Sequence, residues 1–189
     1  MASSATPGLT ALATVNGNEL LYVVDDPSGT PLDRKVTVDQ LKAYFAPIVH
    51  KAANESVTSS AALQDDDHLF FTCPAGTTRV GEVVLFVDSG AEAADIALAM
   101  TTSTGTILYG VNGLAPASTT ESGDAVFYAS TAGGATIGID DTFKTMVILK
   151  FSVTAGGTDA TVKLRWAQGT SNATATTVLA GSHLTHQAA

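Results

Sequence analysis

From residue 63 to residue 189, short apolar segments recur with turn residues between them, and no stretch of sustained helical period intervenes. The segments cover residues 69–73, 80–87, 96–100, 107–109, 126–129, 136–139, 146–153, 161–167 and 176–184, and glycine-bearing breaks such as "DSGAEAAD", "STAGGAT" and "TAGGTD" separate several of them. Eight or nine short strands punctuated in this way predict an all-β domain built as a β-sandwich, most simply a jelly roll. "TVKLRWAQ" carries the clearest period of two: Val162, Leu164 and Trp166 share one face, and Lys163 and Arg165 share the other. That alternation places Trp166 in the core. "EVVLFVD" and "TMVILKF" are apolar on both faces, so each needs two covers. The opposite sheet supplies one, and a neighbouring subunit, a loop or the amino-terminal part of the chain supplies the other.

Composition agrees with this class. The 189 residues are 45% hydrophobic and only 14% charged, with 17 glycines and an excess of Thr, Ala and Ser over Lys and Glu, which favours strands and turns over long surface helices. A net charge of −9 argues against direct binding of nucleic acid, because phosphate neutralisation needs clustered Lys and Arg. The single cysteine, Cys73, has no internal partner and falls at the end of an expected strand, where a small thiol is usually buried.

Residues 1–17 are small and polar with Pro7 and Gly8, a composition read as a flexible or partner-bound arm. The start lacks the basic and apolar regions of a secretory signal, and no apolar run is long enough to cross a bilayer as a helix, so the chain is expected to be a soluble product of the cytoplasm with no membrane partner. Residues 18–46 follow as a small unit. An apolar run at Leu20, Leu21, Tyr22, Val23 and Val24 leads into a turn at 25–29 and a second strand at 35–37. Thr37 and Gln40 then form a capping box for a short helix that places Val38, Leu41 and Phe45 near one face, with Tyr44 beside them, until Pro47 stops it. A unit of this size buries too little apolar surface to stand alone and must lean on something else. Residues 47–62 hold few large apolar residues and read as a linker, so the sandwich domain is expected over 63–189.

The residue types that carry chemistry do not assemble into a site. Asp65, Asp66, Asp67 and His68 lack the spacing of a calcium loop, and consecutive residues converge poorly on one ion. His183 and His186, three apart on an extended chain, face opposite ways, and would share an ion only across symmetry-related chains. Ser89 in "DSGAE" lacks the flanking pattern of a nucleophile elbow, and Asp140 and Asp141 read as a turn. The sequence predicts no enzymatic activity, catalytic residue, metal site or cofactor.

Two stretches carry a resemblance. "GNELLYVVDDPSGTPLDRKVTVDQLKAYF", residues 17–45, resembles a short module near the amino termini of tailed-bacteriophage virion proteins, and "LRWAQGTSNATATTVLAGSHL", residues 164–184, resembles the closing segment of a jelly-roll-like phage structural domain. The resemblance implies a homotrimeric virion protein serving as head decoration (cement), head fibre or tail fibre, and 189 residues, which leave no room for a long shaft and tip, favour decoration of the head exterior of the virion, assembled in the host cytoplasm, with the major capsid protein as partner. A short head or tail fibre that binds a host surface glycan, through a loop such as 110–124, is the alternative. Leu20 to Val24, Val38, Leu41, Tyr44, Phe45, Lys163 and Arg165 are then the expected capsid or subunit contacts, with ion pairing to nearby acids as the other reading of the two cations.

Overall fold

The computed structural model describes residues 20–25, 32–38, 47–116, 125–130 and 134–189. The chain falls into two units, Met1–Phe45 and Ala46–Ala189. In the first, β1 (Leu20–Asp25) and β2 (Leu32–Thr37) pair as an antiparallel hairpin in unbroken register from Leu20↔Thr37 to Asp25↔Leu32. Val38 takes helical geometry directly after β2 and is half-buried. The rest of the expected helix, with Leu41, Tyr44 and Phe45, lies outside the described residues, as does the expected arm.

The second unit is a β-sandwich of two antiparallel sheets. Its central strands are β5 (Gln64–Cys73), β6 (Thr78–Ser89), β7 (Ile96–Thr102), β8 (Thr106–Leu114), β9 (Ala125–Ser130), β10 (Ala135–Ile137), β11 (Thr145–Thr154) and β12 (Ala160–Gln168). One sheet runs β5-β12-β7-β10 and the other contains β6-β11-β8-β9. Counted from β5, these orders are first-eighth-third-sixth and second-seventh-fourth-fifth, the chain changing sheet at every step except between β8 and β9. That is the strand order of a jelly roll, two Greek keys wound together.

Four further strands widen the second sheet along the free side of β6. β14 (His183–Ala188) pairs with residues 79–84 of β6, and β13 (Thr176–Val178) with residues 87–89, while β3 (Ile48–His50) adds to β14 and β4 (Glu55–Val57) to β13. Residues 47–57 are therefore not a linker, as their composition suggests, but part of the sandwich: short strands at a sheet edge need little side-chain bulk, and Val57 and Lys51 are both buried. The expected strand over 176–184 is two strands, because Gly181 at φ 92° turns the chain between them.

The period of two explains the core. Val147, Leu149, Phe151 and Val153 of β11 face inward with Val83, Leu85 and Val87 of β6, against Val162, Leu164 and Trp166 of β12, Leu98 and Met100 of β7 and Leu69 and Phe71 of β5. Each fully buried aliphatic side chain here contributes about 2 kcal/mol. Cys73 is a buried free thiol. On the outer face of the larger sheet, the second apolar rows of β6 and β11 are incompletely covered: Met146 is 54% exposed, with Leu108 of β8 at 53% and Ile48 of β3 at 68%. Among the described residues no helix is long and apolar enough to cross a membrane.

Candidate functional site

The most highly organised polar group in the molecule lies where β5 departs from regular pairing. β5 matches β12 from Ala160↔Cys73 to Lys163↔Phe70 and resumes at Arg165↔Asp65, so residues 66–69 lie opposite Leu164 alone. The extra residues loop around the Asp66 carboxylate, whose Oδ1 accepts the backbone N–H groups of His68 at 2.9 Å and Leu69 at 2.8 Å. A short acidic side chain closing such a turn on its own backbone is why "DDDH" interrupts the strand. Oδ2 accepts the indole N–H of Trp166 at 3.1 Å and a hydrogen bond from Lys51 Nζ at 2.8 Å.

Lys51 follows β3 and is held by its own backbone, its N–H donating to Ser182 O at 2.7 Å and its carbonyl accepting from Gly181 at 3.0 Å. Its side chain and that of Asp66 are completely buried. Glu55, at the start of β4, pairs with the same ammonium through Oε2 and is itself only 13% exposed. Glu55 Oε1 accepts from Gln64 Nε2 at 3.0 Å. Two carboxylates thus share one ammonium out of water, every lone-pair direction of Asp66 being occupied. Burying such charges is unfavourable unless they are paired and hydrogen-bonded, as they are here. Carboxylate and ring atoms of Glu55, Asp66 and His68 lie within 4.8 Å of one another, a spacing that would suit a divalent cation, but the Lys51 ammonium already bonds both carboxylates.

The sequence-predicted residues fare differently. Asp65, Asp66 and Asp67 do not converge: Asp66 points inward, and Asp65 and Asp67 are exposed. Asp65 instead takes the two cations of β12, Lys163 at 2.7 Å and Arg165 at 3.1 Å, while Arg165 Nη2 also donates to Leu63 O at 2.6 Å. The hydrogen bond from Lys163, aided by its charge and that of Arg165, holds the Asp65 carboxyl below the ordinary carboxylate range against the opposing effect of burial. Lys163 and Arg165 are therefore engaged within the chain, the ion-pairing alternative noted above. Asp140 closes a turn by accepting from the N–H groups of Thr142 and Phe143, both at 2.7 Å. The Ser89 hydroxyl is buried and bonded to Ala91.

His183 and His186 face opposite sides of β14. His183 lies outside beside Gly181 O at 3.2 Å, and His186 faces inward and stacks on Phe71 with ring centroids 4.0 Å apart. Burial, and secondarily the charge of Arg79, lowers the His186 pKa from 6.5 to about 4. The folded chain therefore holds His186 neutral where the unfolded chain protonates it, so stability is full above pH 6.5 and declines as pH falls from 6.5 towards 4. The loss attributable to this group is at most roughly 3 kcal/mol. Denaturant unfolding at a series of pH values should show that slope in the wild type and a flatter one in His186→Leu; equal slopes would assign the proton uptake elsewhere.

An open groove of about 400 Å³ crosses β14, β6 and β11 above Gly81, with Glu82, Lys150, Thr185 and Gln187 as its polar rim. Glu82 and Lys150 lie 4.0 Å apart with exposed side chains, a weak surface pair.

Lys51 and Glu55 are the residues that sequence reasoning missed. Their spacing of four in "HKAANE" suggests a helical ion pair, and only the chain's return past Ser182 and the β5 loop buries them.

No protein-family model matches the chain, and no curated protein does. Among solved structures, a CocE/NonD family hydrolase from Staphylococcus aureus aligns at 10% identity and a TM-score of 0.28, over 85% of this chain and 39% of that one. The structure of infectious bursal disease virus, Gx strain, aligns at 14% identity and a TM-score of 0.16, over 87% of this chain and 44% of that one. The chain spans less than half the length of either, and at these TM-scores neither likeness bears on its fold or its activity.

Proposed function

We propose that the chain is a bacteriophage head decoration protein, a structural rather than catalytic component that binds the outside of the capsid as a homotrimer and stabilises the lattice through contact with the major capsid protein. The observation that carries this reading is the division of the chain into a small hairpin unit, Met1–Phe45, and a sandwich with its own core, Ala46–Ala189. The resemblance of residues 17–45 and 164–184 to phage virion proteins supports it, as do the exposed apolar positions Ile48, Leu108 and Met146 on the outer face of the larger sheet, which suit contact with another subunit.

A hairpin with six residues in each strand presents on the order of a few hundred Å² on one face. A stable interface buries roughly 1,200 Å² or more. Docking by one copy is therefore weak, and three copies joined through their sandwiches bind as a multivalent unit, which turns modest contacts into tight attachment. Attachment in turn stabilises the assembled lattice by mass action.

The test is to mix the full chain, and a chain lacking residues 1–46, with undecorated heads and to count bound copies by cryo-electron microscopy. The full chain is expected at every equivalent lattice junction, and the shortened chain is expected to stay folded and unbound. Head binding by the shortened chain would overturn the docking role of the hairpin unit, and binding confined to tails or host cells would replace decoration by the fibre alternative.

A further inference from the structure

We infer that Lys51 and Asp66 are the partners of an amide bond between their side chains, formed within the folded chain with Glu55 as the proton-transfer group. The arrangement holds each part that such a condensation requires. The nucleophile, Lys51 Nζ, is 2.8 Å from Asp66 Oδ2, and both side chains are completely buried, so the attacking nitrogen is hydrogen-bonded to the carboxylate whose Cγ it would attack. Fixing two reactants at this range removes most of the entropic barrier to a bimolecular step. Asp66 Oδ1 receives two backbone N–H groups, from His68 and Leu69. This is the donor pair that a tetrahedral intermediate needs on the oxygen that gains negative charge. Oδ2, the oxygen that leaves, receives the Trp166 indole N–H. Glu55 Oε2 sits against Nζ and is the base within reach of its protons.

The bookkeeping of the step is simple. The reactants are an ammonium and a carboxylate. The Nζ–Cγ bond forms, the Cγ–Oδ2 bond breaks, and Oδ2 departs as water. Of the three protons on Nζ, one remains on the amide nitrogen and two are carried to Oδ2 through the Glu55 carboxylate, which ends as it began. No oxidant, metal or cofactor takes part. Loss of charge drives the step here, because an ion pair held out of water becomes a neutral amide whose N–H and C=O are smaller burdens to bury. This assignment is independent of any role on a capsid, since it needs only the folded sandwich.

The experiment is the intact mass of the purified full chain in denaturant, compared with Lys51→Arg, Asp66→Ala and Glu55→Gln. The wild type is expected to be lighter than its sequence by one water molecule, and a proteolytic digest is expected to contain one branched peptide joining the segments around residues 51 and 66. The Lys51 and Asp66 variants are expected at full sequence mass. Glu55→Gln keeps both reacting groups and is expected to remain folded by circular dichroism while forming the bond slowly or not at all. A wild type at full mass after prolonged incubation overturns the inference, whatever the variants do. So does a missing water that maps to a single linear peptide, the signature of a succinimide at an aspartate.

Discussion

Replacing Lys51 with methionine is expected to lower the unfolding free energy by about 3–5 kcal/mol, because it leaves a buried carboxylate without its counter-charge. Asp66 would keep Trp166 and the two backbone donors, which stabilise the turn but do not neutralise the charge. Glu55 would lose its partner at the same time. The informative comparison is the double variant Lys51→Met with Asp66→Asn, which keeps an acceptor in the loop while removing the charge. It should recover part of the loss, since unpaired charge rather than missing contact is the larger penalty. Urea unfolding of the variants against freshly purified wild-type chain at full sequence mass, in which the pair is still ionic, measures this directly, and a Lys51→Met chain as stable as that reference would mean that the pair makes no net contribution.

Gly81→Val is expected to be comparably damaging, at about 3 kcal/mol or more, for a different reason. Gly81 pairs with Phe151 on one side and His186 on the other, and a Cβ there would stand 2.0 Å from the Thr185 carbonyl oxygen and 2.7 Å from Phe151 Cζ. The oxygen is backbone, so rotamer changes give no relief and β14 has to move away from β6. With it would go the stacking of His186 on Phe71 and the edge to which β3 is attached. Limited proteolysis should therefore cut Gly81→Val between residues 178 and 189 under conditions that leave the wild type intact. An uncut variant with a wild-type unfolding midpoint would contradict this account of the glycine.

Much of the sandwich was legible because a period of two is a local property. The alternation that puts Val162, Leu164 and Trp166 on one face places them all at zero exposure, and the doubly apolar β6 and β11 are neighbours at the heart of the larger sheet. The errors arose where burial depends on distant chain. Nothing within residues 47–62 reveals that Lys51 is enclosed, since its buried counter-ion Asp66 and the Ser182 carbonyl that holds its backbone lie farther along the chain. The same holds for Lys163 and Arg165: alternation correctly places them on the polar face, but it took the β5 bulge to bring Asp65 to them. Trp166 was rightly placed in the core on hydrophobic grounds, yet its indole nitrogen serves the polar network, a second role that no periodicity encodes.

The pairing of β3 with β14 also fixes directions. Ile48 lies opposite Thr185 and the chain runs antiparallel from there, so the sandwich is entered and left side by side, with Ala189 bonded to Thr78 at the start of β6. The turn closed by Asp140 is at the other end, beside Thr145 where β11 pairs with Val87 near the end of β6. A peptide appended after Ala189 would thus emerge at the pole of the sandwich where β3 begins. One inserted between Asp141 and Thr142 would be carried on the opposite pole, which makes that turn the natural mounting point for a displayed cargo.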